Sequence, residues 1–143
     1  MVSVSRTFTV DKGVDDVVAY LADFANAEQW DPGTESCTQT SAGPVQVGTT
    51  WHNVSKIAGI TTELDYTLES LQPGRIVLVG KNKTATSTDT ITVVAKGTGS
   101  EVTYDAHLEL NGLARVGAPA VKLVFEHLGN ETEDGIKQAV ARL

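Results

Sequence analysis

Tyr20-Leu-Ala-Asp-Phe-Ala-Asn-Ala-Glu-Gln-Trp-Asp-Pro-Gly33 carries more structural information than any other stretch of this chain. It closes a short helical region, and Asp31-Pro32-Gly33 then breaks the chain into a long run of strand-like sequence. Only one further helical pattern follows, over residues 113–143. A short helical region, a series of strands and a closing helix is the order of a sheet wrapped around a helix. Such an arrangement leaves a hollow between the two, so the chain reads as one with a small-molecule cavity.

Upstream of that stretch, Val2, Val4, Phe8 and Val10 alternate with Ser3, Ser5, Thr7 and Thr9, which predicts a half-buried strand. Arg6 falls on the apolar parity, so it is expected near an end of the sheet, where its head reaches water. Asp11 is the expected N-cap of the next element, with Asp15 and Asp16 in a first turn that favours acids. Val14, Val17, Val18, Leu21 and Ala25 follow at helical spacing, as one helix or a pair of short ones ending near Trp30.

Downstream, residues 35–41 form a weak strand and Gly43-Pro44 a turn. Val45, Val47, Thr49, Trp51 and Asn53 share one face of the next strand, with His52, Val54 and Lys56 on the other. Ala58-Gly59 is a second turn. Thr62, Leu64, Tyr66 and Leu68 alternate with Glu63, Asp65, Thr67 and Glu69 before Gln72-Pro73-Gly74 closes a hairpin. Residues 75–81 are a short apolar strand, and residues 85–94 are threonine-rich, which suits strands through β-branching. After the turn Gly97-Thr98-Gly99-Ser100, Val102, Tyr104, Ala106, Leu108 and Leu110 oppose Thr103, Asp105, His107 and Glu109.

One wet face and one dry face imply an antiparallel sheet whose dry side must be covered. The terminal helix is long enough, with Val121, Phe125, Leu128, Thr132, Ile136, Ala139 and Leu143 on one stripe. Its beginning is different. Gly112, Ala114, Gly117, Ala118 and Ala120 are small, and Pro119 limits where regular helix can run, so the hollow is expected beneath them. Gly129-Asn130 weakens the expectation of an unbroken helix. The fold class expected is α+β, a single domain over residues 1–143. In it a curved antiparallel sheet of about seven strands wraps a long C-terminal helix, with two short helices after the first strand.

Composition narrows the function. With 41% hydrophobic residues the chain can bury a real core. Cys37 is its one cysteine, so no intramolecular disulfide forms and a reducing, cytoplasmic setting is expected. The first residues read as strand rather than as a secretory signal. No apolar run approaches the roughly 20 residues that span a bilayer, so no stable membrane insertion is expected. The net charge is −7 and the 11 basic residues are scattered, which excludes nucleic acid as an expected partner and weighs against anionic membrane surfaces. A monomer or weak homodimer is the expected state.

Three runs of residues carry a resemblance to a known family. The first is the opening strand and helix leading into Leu21-Ala-Asp-Phe24 and Trp30-Asp-Pro-Gly33. The second is Gly43-Pro-Val-Gln-Val-Gly-Thr49 entering a strand that contains Trp51. The third is Gly97-Thr-Gly-Ser-Glu-Val-Thr-Tyr104 before a long strand and a Gly/Ala/Pro-containing start to the terminal helix. Together they span essentially the whole chain. It resembles the START-like, helix-grip superfamily (SRPBCC, Bet v 1-like), in its bacterial polyketide cyclase/dehydrase-type branch. The resemblance implies a cavity for lipids, sterols, polyketides or aromatic molecules. These motifs specify a fold and not a reaction.

Polar groups on the dry face are the candidate site. Asp89 shares parity with Ser87, Ile91 and Val93. Facing a cavity, its carboxylate would be costly to desolvate and would serve as general base or ligand anchor. If a bulge shifts the register by one, it points to water among Thr86, Thr88 and Thr90 instead. Tyr66 and Tyr104 lie on the dry parity and either fix a ligand carbonyl or hydroxyl or fill core. Trp51 and Asn53 would set the shape and polarity of the site, and Trp30 would anchor the short helices near its opening. Leu64, Ile91, Leu108 and Pro119 complete the expected lining. No catalytic residue is assigned. His52, His107 and His127 read as exposed and lack metal-ligand spacing, so neither a metal nor a cofactor is expected. Cys37 has no neighbouring base in sequence, and the acidic residues 126–134 read as a solvated helix face.

Binding of a small hydrophobic or amphipathic molecule is the first functional expectation. A cyclase, aromatase or dehydratase using Asp89, Tyr66 and Tyr104 is the second. A protein-interaction module working through its wet face is the third.

Overall fold

In the computed structural model, which describes residues 2–57, 59–112 and 118–143, the alternating segments pair into one seven-stranded sheet. Strand β1 (Val2–Val10) leads into helix α1 (Val14–Ala22), a 3-10 turn (Phe24–Asn26) and helix α2 (Ala27–Trp30). Strands β2 (Thr34–Gln39), β3 (Thr50–Ile57), β4 (Ile60–Gln72), β5 (Arg75–Lys81), β6 (Ala85–Lys96) and β7 (Gly99–Leu110) follow. Helix α3 (Ala118–Ala141) comes last. The order in space is β1-β7-β6-β5-β4-β3-β2, every pair antiparallel. This is the helix-grip arrangement, a curved sheet holding a long C-terminal helix.

The strands keep the parity that the sequence predicts where it matters. Strand β6 pairs without a register shift to β5 on one side and β7 on the other. Ala85, Ser87, Asp89, Ile91 and Val93 are therefore all inward and buried. The irregularity in β4 falls between Leu68 and Ser70, beyond Tyr66, and leaves its face unchanged.

Some boundaries differ from expectation. Gly13, not Asp11, is the N-cap of α1, and no side chain caps it. Strand β3 begins only at Thr50, so Val45 and Val47 belong to the preceding loop and Val47 is exposed. Pro44 has no amide to offer a ladder, and the loop bonds to itself through Thr49 N–H to the Gln46 carbonyl, 2.9 Å. Ala58 of the expected Ala58-Gly59 turn lies outside the described residues.

Three α-helices and the 3-10 turn cover the dry face unevenly. Helix α1 packs on β5, β6 and β7, whereas α3 packs on β1 and on α2. Helix α3 runs unbroken through Gly129-Asn130. A Cβ at Gly129 would stand 2.7 Å from Val4 Cγ2 and 3.3 Å from Arg6 Cζ, so the helix lies against β1 at a distance only glycine allows. Arg6 reinforces this seat rather than reaching for water alone. Its Nη2 donates to the Glu126 carbonyl (3.0 Å) and its Nε to Asn130 Oδ1 (2.9 Å). Thr132, Ile136, Ala139 and Val140 are buried from there on, while Leu143, past the helix end, is exposed.

Replacing Gly129 by valine should cost about 1–3 kcal/mol through overpacking against Val4 and Arg6. Gly129→Ala should cost less, because better helix propensity offsets part of the strain. Urea unfolding of both variants at one pH measures this.

Candidate functional site

Between the dry face and α3 lies a cavity of about 310 Å³, within the size range of small-ligand sites. The register fixes its polarity. Tyr104, Asp89 and Tyr66 lie at its inner end, one on each of β7, β6 and β4. Moving outward along the same strands, Leu108, Ala85, Leu64 and Ile60 replace them. Helix α3 supplies the opposite wall through Val121, Val124, Phe125, Leu128, Gly129 and Thr132. Ile57, Val124 and Leu128 also line an outer groove with Pro32, Lys56 and His127, so cavity and groove adjoin there.

The space beneath β2 to β5 is filled by aromatic rings. Phe24 sits 4.5 Å from Tyr66 and meets Trp51 (6.2 Å) and Trp30 (6.0 Å) edge-on. Trp30 in turn meets Tyr104 at 6.0 Å. These offset contacts hold both tyrosine rings in place. Gly80, opposite Tyr66 on β5, gives that ring its seat: a Cβ there would lie 2.6 Å from Tyr66 Cζ.

The polar inner end is acidic. Asp89 is only 4% exposed. Its carboxyl is pushed up to about 8, chiefly by burial and further by the charge of Asp31. A hydrogen bond with Tyr104 opposes the rise. Tyr104 and Tyr66 are themselves held well above the usual phenol range by burial and then by Asp89, so both stay protonated donors. Ser87, beside Tyr66, opposes that rise. Asp31 is raised by burial, against bonds from the Thr34 hydroxyl (2.7 Å) and the Gly33 N–H (3.3 Å). A chain of donors stands behind it. Ser55 Oγ donates to Asn53 Oδ1 (2.6 Å), and Asn53 Nδ2 donates to Thr34 Oγ1 (3.1 Å).

Of the residues expected at the site, Leu64, Tyr66, Asp89, Tyr104 and Leu108 line the cavity. Trp30 and Trp51 lie outside its lining, in the aromatic cluster, and neither buried indole N–H has a partner. Asn53 acts at one remove, through Thr34 on Asp31. Ile91 is fully buried, one inward position beyond Asp89 and outside the lining. Pro119 is exposed on the first turn of α3 and does not line the cavity. The helix wall is made instead by the bulkier residues 121–132. Ala114 and Gly117, expected to roof the hollow, lie outside the described residues.

In the sequence Asp31 marks only a helix-breaking cluster. Its position directly after Trp30, at the end of the short helices, was the available signal. The histidines face outward. His52 Nδ1 meets Asp65 Oδ1 (2.7 Å) and its Nε2 meets Glu63 Oε1 (2.8 Å), which raises its affinity for a proton. His107 bonds Ser3 and His127 pairs with Glu131. Cys37 is buried and its thiol is pushed up to about 12 by that burial, so it is an unreactive thiol at neutral pH. Among the described residues no group of three His, Cys, Asp or Glu side chains is placed to hold a metal.

Asp89 makes stability depend on pH with a definite sign. Its carboxyl ionises near 3.8 when unfolded and near 8 when folded. Between those values the unfolded chain binds fewer protons, so stability falls as pH rises and levels off above about 8. Asp89→Asn should therefore be more stable than the parent at pH 7–8, by an amount on the order of a few kcal/mol, and should converge with it near pH 4. Urea unfolding across that pH range tests this.

Comparison with known proteins agrees with the architecture. The family model described as "Polyketide cyclase / dehydrase and lipid transport" matches residues 1–141. No curated protein sequence matches the chain. A START superfamily protein from Mycobacterium smegmatis superimposes with a TM-score of 0.81 at 15% identity, over 98% of this chain and 97% of that one. The Zhui aromatase/cyclase from Streptomyces sp. R1128 gives 0.81 at 15% identity, over 98% and 93%. A STAR-related lipid transfer protein fragment from Xanthomonas axonopodis gives 0.75 at 13% identity, over 96% and 85%. At such identities these structures speak for the fold alone. The match over nearly the whole chain, on a sheet that grips its last helix around an apolar cavity, makes this protein a member of the polyketide cyclase/dehydrase and lipid transport family.

Proposed function

We propose that this protein binds a small apolar or amphipathic molecule in the cavity between the sheet and α3. The observation that carries this reading is the cavity itself. Its walls are largely aliphatic and aromatic with scattered hydroxyls, and its two carboxyl groups and two phenols converge at the inner end. That is the construction of a site that buries a ligand's body and orients it by its head. One structural neighbour is named a lipid transfer protein, in keeping with this reading, and another an aromatase/cyclase, in keeping with an enzymatic one.

The pairing of Asp89 with Tyr104 supports a second reading, an acid–base enzyme of the cyclase or dehydratase kind. A carboxyl poised near neutral pH beside a phenol is what proton transfer at a ligand carbonyl requires. Asp89→Asn separates the two readings. A carrier keeps a neutral ligand with modest change in affinity, whereas an enzyme loses turnover by about 10²-fold or more.

Filling the cavity tests the carrier reading. Leu108 is half-buried on β7 and lines the outer half of the cavity. Leu108→Trp should weaken binding of a neutral fluorescent probe such as Nile red at least tenfold, with thermal stability unchanged or raised. Unchanged probe affinity in a folded variant would place binding elsewhere.

A further inference from the structure

Resting on the reading of the cavity as a ligand site, we propose that its ligand is an amphipathic amine. The ammonium group sits at Asp89 and Asp31, and the apolar body lies outward along Leu64, Leu108 and α3. Three observations converge on this. First, the two carboxyl groups of the lining meet at its inner end, whereas the polar groups elsewhere along it, Ser55, Thr62 and Thr84, are uncharged. Second, no basic side chain lines the cavity among the described residues. Arg6 is opposite Tyr104 in register, but its guanidinium is committed to the Ser5 and Glu126 carbonyls and to Asn130. Lys56 faces the outer groove instead. Third, the rings of Tyr66 and Tyr104 border the same end, and aromatic faces favour a desolvated cation.

Competing head groups fit less well. A carboxylate or phosphate head would be placed against two acids in a low-dielectric site, with no countercharge among the described lining residues. A neutral carbonyl could accept from Tyr66, Tyr104 or protonated Asp89 but would have no use for Asp31, and a hydroxyl could donate to Asp31 without compensating its charge. Yet Asp31 is deliberately held, by Thr34 and through Asn53 and Ser55 behind it, where its charge makes Asp89 harder to ionise. That arrangement is a liability in an empty cavity and an asset once a cation arrives.

Proton balance gives the proposal a signature. Among the described residues, the titratable groups facing Asp89 are Tyr104 on β7, Tyr66 on β4 and Asp31 after α2. Strand β1 presents Val4, and α3 presents only uncharged side chains to the cavity. Binding of R–NH3+ to protonated Asp89 forms the carboxylate–ammonium pair and releases the carboxyl proton to solvent. Affinity for an amine therefore rises with pH, up to tenfold per unit, until Asp89 is ionised in the free protein near pH 8.

Calorimetry on the full chain with 2-(2-naphthyl)ethylamine, 2-(2-naphthyl)ethanol and 2-naphthylacetate tests this, since the three share one body. At pH 7.5 the amine should bind at least tenfold more tightly than the alcohol, and the carboxylate most weakly. Amine affinity should rise from pH 6 to pH 8 while alcohol affinity stays level. Asp89→Asn should abolish the amine's advantage and leave the alcohol within about threefold. If the alcohol or the carboxylate binds as tightly as the amine, the amine proposal is overturned and the carrier reading stands. A flat pH profile for the amine in the unsubstituted protein overturns it equally, even if the variant fails to fold. If none of the three binds, both readings fall.

Discussion

The close seat of α3 on β1 is the contact on which the rest of the structure depends. A seven-stranded sheet has a dry face too wide for one helix to cover. Gly129 lets the helix approach Val4 closely, and Arg6 ties the Glu126 carbonyl and Asn130 to the same strand. With α3 committed to that edge, the far half of the sheet falls to α1, the 3-10 turn and α2. Their Phe24 and Trp30 join Trp51 and Tyr66 in a dense aromatic cluster. What neither covering fills is the space over β4, β6 and β7, and that space is the cavity. The hollow thus follows from two well-packed regions set apart.

Within it, Asp89 runs against the logic of a core. A fully inward carboxyl with no described cation nearby is unfavourable to ionise, and one amide in its place would remove the penalty. Stability is being traded for a chemical property, as active and binding sites commonly do. The surrounding bonds are arranged to keep the group in place rather than to neutralise it. Tyr104 stands beside it and favours its carboxylate, the aromatic cluster holds that ring, and Asp31 keeps the local potential negative. Asn53, outside the lining, and Ser55, part of it, contribute by fixing Thr34 and hence Asp31.

How much of this was legible from the chain varies with the range of the interaction involved. Strand alternation is local, so the inward parity of Tyr66, Tyr104, Leu64 and Leu108 could be read residue by residue. The fate of Asp89 could not, because one bulge anywhere along β6 would have turned it to water. It is inward because β6 pairs continuously with two neighbours, a fact about three strands at once. The tryptophans mislead for a related reason. A large indole on the dry face can border a cavity or fill a core, and only the position of Phe24 on a separate element decides that Trp30 and Trp51 do the latter.

Periodicity, turn residues and element order by themselves determined a sheet with one dry face, two short helices after the first strand and a long helix last. These depend on φ/ψ preferences and on the spacing of apolar side chains, both written into the sequence. Tertiary structure alone decided where the helix rests, which polar groups meet beneath it and which ends of the strands stay hollow. Asp31 and Asp89 are 58 positions apart in the chain. Nothing in the spacing of either announces the other. They come to share one buried space because α2 docks beside α3 while β6 lies mid-sheet, and it is that shared desolvation, not either residue type, that sets the chemistry of the site.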